Sequence, residues 1–273
     1  MALVNKIIPF SCVDGPGNRM VIFFQGCNFK CLYCHNPETI NMCLNCGKCV
    51  ENCEVGALSI KNGKVIWDDE ECINCDKCIK ICENLSSPKT KDYSIEELVK
   101  KIEKDRFFIR GITVSGGECT LNSDFLIELF KEVKKMGLTC FVDTNGSTKL
   151  NDKLIDLTDK FMLDIKSIDE EESIWLTGES NKLVLENLEK ILSLNKMYEV
   201  RTVVAPMLDS EKIVKEISNI IKDKCRYKLI KYRQFGVRDE GIEVFSRKSL
   251  DDEYMNKLKE ISIKNGCLDT IIT

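Results

Sequence analysis

The sequence predicts an α/β protein with a parallel sheet and a cysteine-rich insert. Three observations lead to this fold class. Beyond Pro88 the chain alternates between strand and helix patterns, which is typical of βαβ units with helices outside a parallel sheet. Between about residues 41 and 88 the composition changes to closely spaced cysteines. Before this insert, the apolar run 20–24 is predicted to be a buried strand and ends at a further cysteine loop.

Length, charge and composition exclude several classes of function. The chain has 273 residues, 43% of them hydrophobic, which allows one large domain or two smaller ones. A net charge of -4 gives no basic surface for nucleic acid. No apolar run approaches the ~18 residues of a membrane span, and the start of the chain lacks a signal-peptide pattern. We therefore expect a cytoplasmic protein that does not attach to membranes.

The cysteine and histidine content points to metal or redox chemistry. Sixteen cysteines without a signal peptide favour a metal or redox framework over disulfides. The single histidine, His35, excludes a histidine-based catalytic triad.

The loop after the first buried strand carries a C-x3-C-x2-C triplet, formed by Cys27, Cys31 and Cys34. A [4Fe-4S] cluster usually has four cysteine ligands, so a triplet would leave one iron open to a substrate. The alternative is a structural zinc ion with His35 as the fourth ligand. The cluster would lie at the carboxyl end of a strand, where α/β folds place their active sites.

Two cysteine runs with the same spacing, C-x2-C-x2-C-x3-C, follow in the insert. The first run is Cys43, Cys46, Cys49 and Cys53, and the second is Cys72, Cys75, Cys78 and Cys82. In two-cluster bacterial ferredoxins the fourth cysteine of each run ligates the other cluster. The expected ligand sets are therefore Cys43, Cys46, Cys49 and Cys82 for one cluster, and Cys53, Cys72, Cys75 and Cys78 for the other. Zinc knuckles are the alternative. Glu54 and Glu83 stand where proline normally follows the fourth cysteine.

Local signals define the elements that follow. Asn62-Gly63 between two alternating segments predicts a type I′ hairpin inside the insert. Ser94 with Glu97 forms a capping-box pattern that starts a helix over 95–104. Later strands are predicted at 111–114, 138–142, 160–165, 198–204 and 227–231, with helices at 124–136, from 151, at 183–194, 211–221 and 251–263. About six βα units fit, too few for a closed eight-stranded barrel.

Polar motifs follow the predicted strands. Ser115-Gly116-Gly117-Glu118 combines paired glycines, which let a ligand approach the backbone, with a carboxylate that can bind an ammonium. Asp143-Thr144-Asn145-Gly146 ends the next strand, and Met162-Leu163-Asp164-Ile165-Lys166 the one after. Their hard oxygen ligands suit a simple cation, although an Asp164–Lys166 salt bridge is an alternative. Arg201 stands on a further strand, and its guanidinium suits a carboxylate.

These motifs, in this order and at strand ends, resemble the radical S-adenosylmethionine (SAM) family, over Asp14 to about Gly236. Within that family the chain is similar to glycyl radical enzyme activating enzymes with a ferredoxin-like insert. The resemblance implies an open, partial (β/α)6 barrel with an α+β ferredoxin-like 2[4Fe-4S] insert after its first strand. The expected domains are residues 1–40 and 89–273 for the barrel and 41–88 for the insert.

The resemblance also implies the site residues. Cys27, Cys31 and Cys34 would hold the cluster that binds and cleaves SAM. The implied SAM contacts are Tyr33, Gly116, Gly117, Glu118, Asp143, Asp164, Lys166 and Arg201. The implied ligands of a monovalent cation are Asp143, Thr144, Met162 and Asp164. Asp14, on a turn expected beside the cysteine loop, would contact the substrate loop of a partner enzyme.

The implied activity is radical chemistry with three [4Fe-4S] clusters. SAM would be cleaved to methionine and a 5′-deoxyadenosyl radical, which takes a hydrogen atom from a backbone glycine of a glycyl radical enzyme. This needs no acid–base residue, in agreement with a single histidine. A flavodoxin or ferredoxin would supply electrons to a monomeric activase. The alternatives are a radical SAM enzyme acting on a small molecule and a ferredoxin-type electron carrier. The SAM motifs argue against a carrier.

Overall fold

The computed structural model describes residues 1–245 and 250–273. The strands are β1 (Ala2–Ser11), β2 (Arg19–Phe24), β3 (Leu58–Lys61), β4 (Lys64–Trp67), β5 (Lys91–Tyr93), β6 (Gly111–Gly116), β7 (Thr139–Thr144), β8 (Lys160–Asp164), β9 (Met197–Val204), β10 (Arg226–Lys231) and β11 (Thr270–Ile272). The α-helices are α1 (Lys48–Glu51), α2 (Lys77–Lys80), α3 (Ile95–Asp105), α4 (Ser123–Lys135), α5 (Asp152–Leu157), α6 (Glu170–Thr177), α7 (Lys182–Ser193), α8 (Ser210–Ile221), α9 (Asp239–Phe245) and α10 (Asp252–Lys264). Short 3-10 turns cover Pro37–Thr39 and Cys119–Asn122. In the described part of the chain, no helix is long and apolar enough to cross a membrane.

One large sheet has the strand order β11-β10-β9-β8-β7-β6-β2-β1-β5. Neighbouring strands from β2 to β11 are parallel, whereas β1 and β5 join antiparallel at one side. The parallel strands β2, β6, β7, β8, β9 and β10 give the six predicted βα units. The described strands leave β5 and β11 as two free edges, so the α/β class and the open sheet are confirmed.

Burial explains why these segments form the sheet and its outer layer. In β2, Met20, Val21 and Ile22 are buried in succession, as expected for a parallel strand covered on both faces. In α8, Ile213, Ile217 and Ile221 recur every fourth residue and are buried, which places one apolar face on the sheet. The helices therefore pack outside the sheet and leave its strand ends open.

The insert, between β2 and β5, has a separate two-stranded sheet of β3 and β4. Asn62 and Gly63 both have positive φ, 52° and 72°, so the type I′ hairpin is confirmed. The buried core of this region consists of Cys49, Leu58 and Cys78. Two of these three core residues are cysteines, so the packing of the insert depends on its cysteine side chains.

The capping box at α3 is also confirmed. Ser94 Oγ accepts from the Glu97 backbone N–H at 3.2 Å, and the Ser94 N–H donates to Glu97 Oε2 at 2.8 Å. This reciprocal pair fixes where the chain leaves the short edge strand β5 and begins its first outer helix.

Candidate active site at the strand ends

A cavity of about 310 Å³ lies at the carboxyl ends of the parallel strands. The predicted site residues that line it are Cys27, Cys31, Tyr33, Cys34, Gly116, Gly117, Asp143, Thr144, Asp164, Lys166 and Arg201. Glu118, Met162 and Asp14 are not among the lining residues. The fold therefore brings the cysteine triplet together with most of the strand-end motifs, which lie 82 to 174 residues away along the chain.

Two segments fix the backbone of the cysteine loop. On one side, the Cys27 N–H donates to the Ile40 carbonyl at 2.9 Å. On the other, the N–H groups of Lys30 and Leu32 donate to the Thr177 and Leu176 carbonyls at 2.7 and 2.9 Å. The second pair satisfies carbonyls at the end of α6, which have no partner within the helix. An irregular loop thus gains a fixed position without secondary structure of its own.

Burial makes the triplet thiols poor acids unless a cation joins them. Desolvation raises the pKa of the Cys31 thiol to about 12, and the Lys166 ammonium opposes this rise. Desolvation also raises the pKa of the thiols of Cys27 and Cys34. Because metal ligation requires thiolates, positive charge at the centre of the cavity would offset the cost of burying three of them.

The donor set of the cavity fits an iron–sulfur cluster. In residues 1–245 and 250–273, no three Cys, His, Asp or Glu side chains form a group that could hold one metal ion. A cubane is larger than an ion, and each cysteine binds a different iron, so thiols spread along a cavity wall match it. His35 also lines the cavity, and its Nε2 lies 3.0 Å from the Arg233 carbonyl oxygen.

The two glycines are required by backbone contacts. A Cβ on Gly116 would lie 2.2 Å from the Phe24 carbonyl oxygen, and one on Gly117 would lie 2.3 Å from that of Gly26. Gly116 also has φ +123°, which side chains rarely adopt. Any other residue would push the end of β6 away from the start of the cysteine loop.

Glu118 is fully buried behind the cavity wall, 0% exposed. Its Oε1 accepts from Thr120 N at 3.0 Å, Thr120 Oγ1 at 2.5 Å and Thr144 Oγ1 at 2.8 Å, and its Oε2 accepts from Asn145 N at 2.8 Å. These bonds tie the end of β6 to the end of β7. In the structure this carboxylate therefore positions the ends of these two strands. Its binding of the SAM ammonium stays a prediction.

Arg201 joins the two strand-end aspartates. Its Nη2 forms an ion pair with Asp143, and its Nε donates to Asp164 Oδ1 at 2.8 Å. Lys166 Nζ donates to the other oxygen of Asp164 at 2.8 Å, so the alternative salt bridge is present. Burial lowers the pKa of Arg201 to about 10, which the Asp14 carboxylate partly offsets, and the guanidinium stays charged at neutral pH.

Hydrogen bonds and ion pairs already engage the oxygens that are expected to bind a monovalent cation. Ser115 Oγ donates to Asp143 Oδ2 at 2.9 Å, and the Thr144 hydroxyl donates to Glu118. Met162 is 1% exposed on β8. A monovalent cation at these residues therefore stays a prediction, and binding it would require the Arg201 contacts to change.

Asp14 lies at the amino end of β2, whereas the cysteine loop follows the carboxyl end. The turn that carries Asp14 therefore enters β2 at the end away from the cysteine loop, and its expected contact with a substrate loop stays a prediction. The Asp14 carbonyl accepts from Thr113 Oγ1 at 2.6 Å, and its carboxylate acts on the pKa of Arg201. Asp14 is thus coupled to the cavity from the opposite end of the sheet.

Some lining residues were not assigned from the sequence. Ser115 and Asn145 lie inside the strand-end motifs, and Asn145 Nδ2 is 3.7 Å from Cys27 Sγ. Val203 also lines the cavity, two residues after Arg201. Side chains two residues apart on a strand lie on the same face, so this alternation could have identified Val203 from the sequence. Tyr33 was assigned, and its buried hydroxyl has no hydrogen-bond partner within the described chain. Tyr33 itself lines a cavity large enough for a ligand.

Two further cavities lie in the insert, each lined by four cysteines. A cavity of about 330 Å³ is lined by Cys43, Cys46, Cys49 and Cys82. The second is lined by Cys53, Cys72, Cys75 and Cys78. This grouping matches the crossed pairing that the spacing predicted. The glutamates after the fourth cysteines are also crossed, with Glu83 2.8 Å from Lys48 and Glu54 paired with Lys77.

A model of the radical SAM superfamily matches residues 21–217 of this chain. The chain belongs to the radical SAM superfamily. It is 34% identical to the trans-4-hydroxy-L-proline dehydratase activating enzyme of Clostridioides difficile, over 95% of this chain and 94% of the relative. It is 29% identical to a pyruvate formate-lyase-activating enzyme of Clostridium pasteurianum, with the same coverage of both chains.

Solved structures agree on the fold. The crystal structure of QueE from Escherichia coli covers 100% of this radical SAM chain and 93% of its own, with a TM-score of 0.58 and 14% identity. At that identity the similarity concerns the fold alone. The family model and the activating-enzyme relatives confirm the expected family and the expectation that this chain is an enzyme.

Proposed function

We propose that this radical SAM protein is a glycyl radical enzyme activating enzyme. One observation carries the proposal: the triplet Cys27, Cys31 and Cys34 shares a cavity with the Gly-Gly backbone and the charged strand ends. The relatives named as activating enzymes match it over nearly their whole length. A ferredoxin-type carrier has no need for such a cavity.

The triplet would hold one [4Fe-4S] cluster with an iron left for SAM. When bound, this cluster supplies one electron to SAM, which splits into methionine and a 5′-deoxyadenosyl radical that takes a hydrogen atom from a backbone glycine of the partner. The cavity residues bind and orient SAM. Lys166 has three N–H donors, of which Asp164 uses one, so it can also bind the SAM carboxylate. Tyr33 brings an unused hydroxyl.

The insert, residues 41–88, is proposed to be a ferredoxin-like domain that carries two further [4Fe-4S] clusters. The shared cavities of the crossed cysteine sets support this assignment. The chain would then hold three clusters and receive its electrons from a flavodoxin or ferredoxin. We further propose a monomer that works in the anaerobic cytoplasm, with a monovalent cation near Asp143 and Asp164.

Asp14 is proposed to contact the glycine loop of the partner. Its carboxylate already has a hydrogen bond from Ser11 at 2.5 Å and an electrostatic link to Arg201. An open sheet leaves a lateral mouth for an extended peptide, and the effect of Asp14 on Arg201, a cavity residue, supports a contact between Asp14 and a peptide bound in that cavity. Substitution of Asp14 by alanine should therefore weaken activation of the partner far more than uncoupled SAM cleavage.

The deciding experiment is an anaerobic assay with reconstituted protein, dithionite and SAM. We expect 5′-deoxyadenosine, and a glycine-centred doublet in electron paramagnetic resonance (EPR) when a cognate glycyl radical enzyme is present. Pyruvate formate-lyase and trans-4-hydroxy-L-proline dehydratase are the first partners to test, because the relatives are named for them. Deuterium in 5′-deoxyadenosine from a small metabolite, with none from a glycine-labelled partner, would instead identify a small-molecule enzyme.

A further inference from the structure

The first and the last cysteine of the insert belong to the same cysteine set. Cys43 is the first cysteine of the insert and Cys82 the last, and they line the same cavity. We call Cys43, Cys46, Cys49 and Cys82 the inner set, and Cys53, Cys72, Cys75 and Cys78 the outer set. All outer cysteines lie between Cys43 and Cys82 along the chain. The chain therefore enters and leaves the insert at the inner set, whereas the outer set meets the barrel through an ion pair between Lys89 and Asp76 at 2.6 Å.

A short route connects the inner set to the catalytic triplet. The Cys27 N–H donates to the Ile40 carbonyl at 2.9 Å, and Cys43 follows only three residues later. A fully extended chain covers at most about 3.6 Å per residue, so this span is at most about 11 Å. The side chain of Gln25, 2% exposed, also holds the segment, donating to the Glu38 and Asn41 carbonyls at 2.8 and 2.7 Å.

The exit from the insert is tied to the same segment. The Asn41 N–H donates to the Leu85 carbonyl at 3.0 Å, and Asn41 Nδ2 donates to the Asn84 carbonyl at 2.9 Å. In return, Asn84 Nδ2 donates to the Met42 carbonyl at 2.8 Å. These bonds clamp the residues that follow Cys82 onto those that precede Cys43. Both ends of the inner set are therefore fixed beside the catalytic loop.

Exposure alone does not distinguish the two sets. Each has one solvent-exposed cysteine at the second position of its run, Cys46 and Cys75. Each also has an exposed apolar neighbour, Leu44 at 71% and Ile73 at 62%. An external carrier could therefore reach either set. The sets differ in how they connect to the barrel: the inner set is held through the chain ends and their hydrogen bonds, and the outer set through the Lys89–Asp76 ion pair.

From these connections we infer an order of the three cysteine sets, which rests on the proposed function. The inner set stands between the outer set and the Cys27 set, so it is the obligatory electronic neighbour of the catalytic triplet. An external one-electron carrier, such as a reduced flavoprotein or iron–sulfur protein, is oxidised by one electron at the insert. The [4Fe-4S] cluster that the Cys27 set would hold gains that one electron, and no atom or proton moves with it.

The test compares equivalent positions of the two runs, Cys46→Ala and Cys75→Ala, in the full-length reconstituted protein. Each variant should lose one cluster of iron, falling from about 12 to about 8 per chain. The readout is the microwave-power saturation of the EPR signal that SAM perturbs, since SAM binds only at the Cys27 set. A second reduced cluster close by speeds the relaxation of that signal, and the effect falls steeply with distance.

We expect Cys46→Ala to lose the fast relaxation and Cys75→Ala to keep it. If either variant fails to fold, Cys82→Ala and Cys53→Ala make the same comparison at the fourth positions. Loss with the outer variants but not the inner ones would overturn the order, as would equal loss with both. Wild-type protein with only four irons per chain would also overturn it. Absence of 5′-deoxyadenosine in the wild type would instead refute the proposed activity, because the relaxation comparison does not depend on turnover.

Discussion

The catalytic loop and the insert both present cysteines, but different forces hold them. The cysteine loop rests on a large apolar core in which Ile22, Val114 and Leu163 are 0% exposed. The insert buries only Cys49, Leu58 and Cys78 in its own core. Regions this small usually need a metal or a disulfide for stability. We therefore expect the barrel site to fold before a cluster binds, and the insert to depend on the two clusters proposed for it.

The barrel site and the insert also differ in how far their charged pairs are exposed to solvent. The side chains of Arg201 and Asp143 are 13% and 16% exposed, whereas those of Lys48 and Glu83 are 54% and 82% exposed. Buried ion pairs become costly when one partner is removed, whereas exposed pairs contribute little. Substitutions should therefore have large effects in the barrel site and small effects on the surface of the insert.

The largest expected effect is the loss of SAM cleavage in Cys31→Ala. With dithionite as reductant, 5′-deoxyadenosine should fall to background, because the variant strips a ligand from the catalytic cluster. The measurement is product quantification over a timed anaerobic assay. Cys12→Ala is the matched control, since Cys12 is exposed and lies outside all three cysteine sets. Residual cleavage above background in a folded Cys31→Ala protein would show that the triplet is not the catalytic centre.

Removal of iron should affect the insert and the barrel differently. In iron-free protein, the backbone amides of residues 43–82 should lose their protection from hydrogen exchange, because a core of only three buried residues would lack the proposed clusters that stabilise it. The amides of β6, β7 and β8 should keep most of theirs. Exchange followed by mass spectrometry checks both regions in one sample. Equal protection of the insert with and without iron would refute the comparison.

Arg201→Met should destabilise the barrel by about 3–5 kcal/mol, because it leaves the Asp143 carboxylate buried without its cation, while Asp164 keeps Lys166. Denaturant unfolding of the iron-free protein, followed by far-ultraviolet circular dichroism, measures the change. Lys257→Met is the control: Lys257 pairs with Glu211 on the surface and should shift the unfolding midpoint little. Equal shifts for the two variants would mean that the Arg201 network adds no stability.

The smallest effect is expected for Glu83→Gln in the insert. This exposed carboxylate pairs with Lys48, and such pairs contribute little, so melting temperature and iron content should stay close to wild type. A loss of about four irons per chain, one cubane, would show instead that the Lys48–Glu83 ion pair holds Cys82 in position. Glu83 would then replace the proline that normally follows the fourth cysteine.

The sequence was most informative where a pattern is local. The Asn62-Gly63 turn, the Ser94 capping box and the alternation of strands and helices follow from chemistry within a few residues. The cysteine spacing predicted which cysteines share a cavity, because the duplicated run carries its own symmetry. The edge strand β5 was not predicted, since three residues that pair with β1 leave no periodic signal.

By itself the sequence determined the α/β class, the radical SAM resemblance and the cysteine sets, because these depend on spacing along the chain. Only the tertiary structure decided how the charges are used. Arg201 bridges aspartates 58 and 37 residues away, the buried Glu118 carboxylate binds Thr144 and Asn145, and Asp14 lies at the opposite end of β2 from the cysteine loop. Strand register sets these partners, and no local pattern records which charges a register will bring within hydrogen-bond distance.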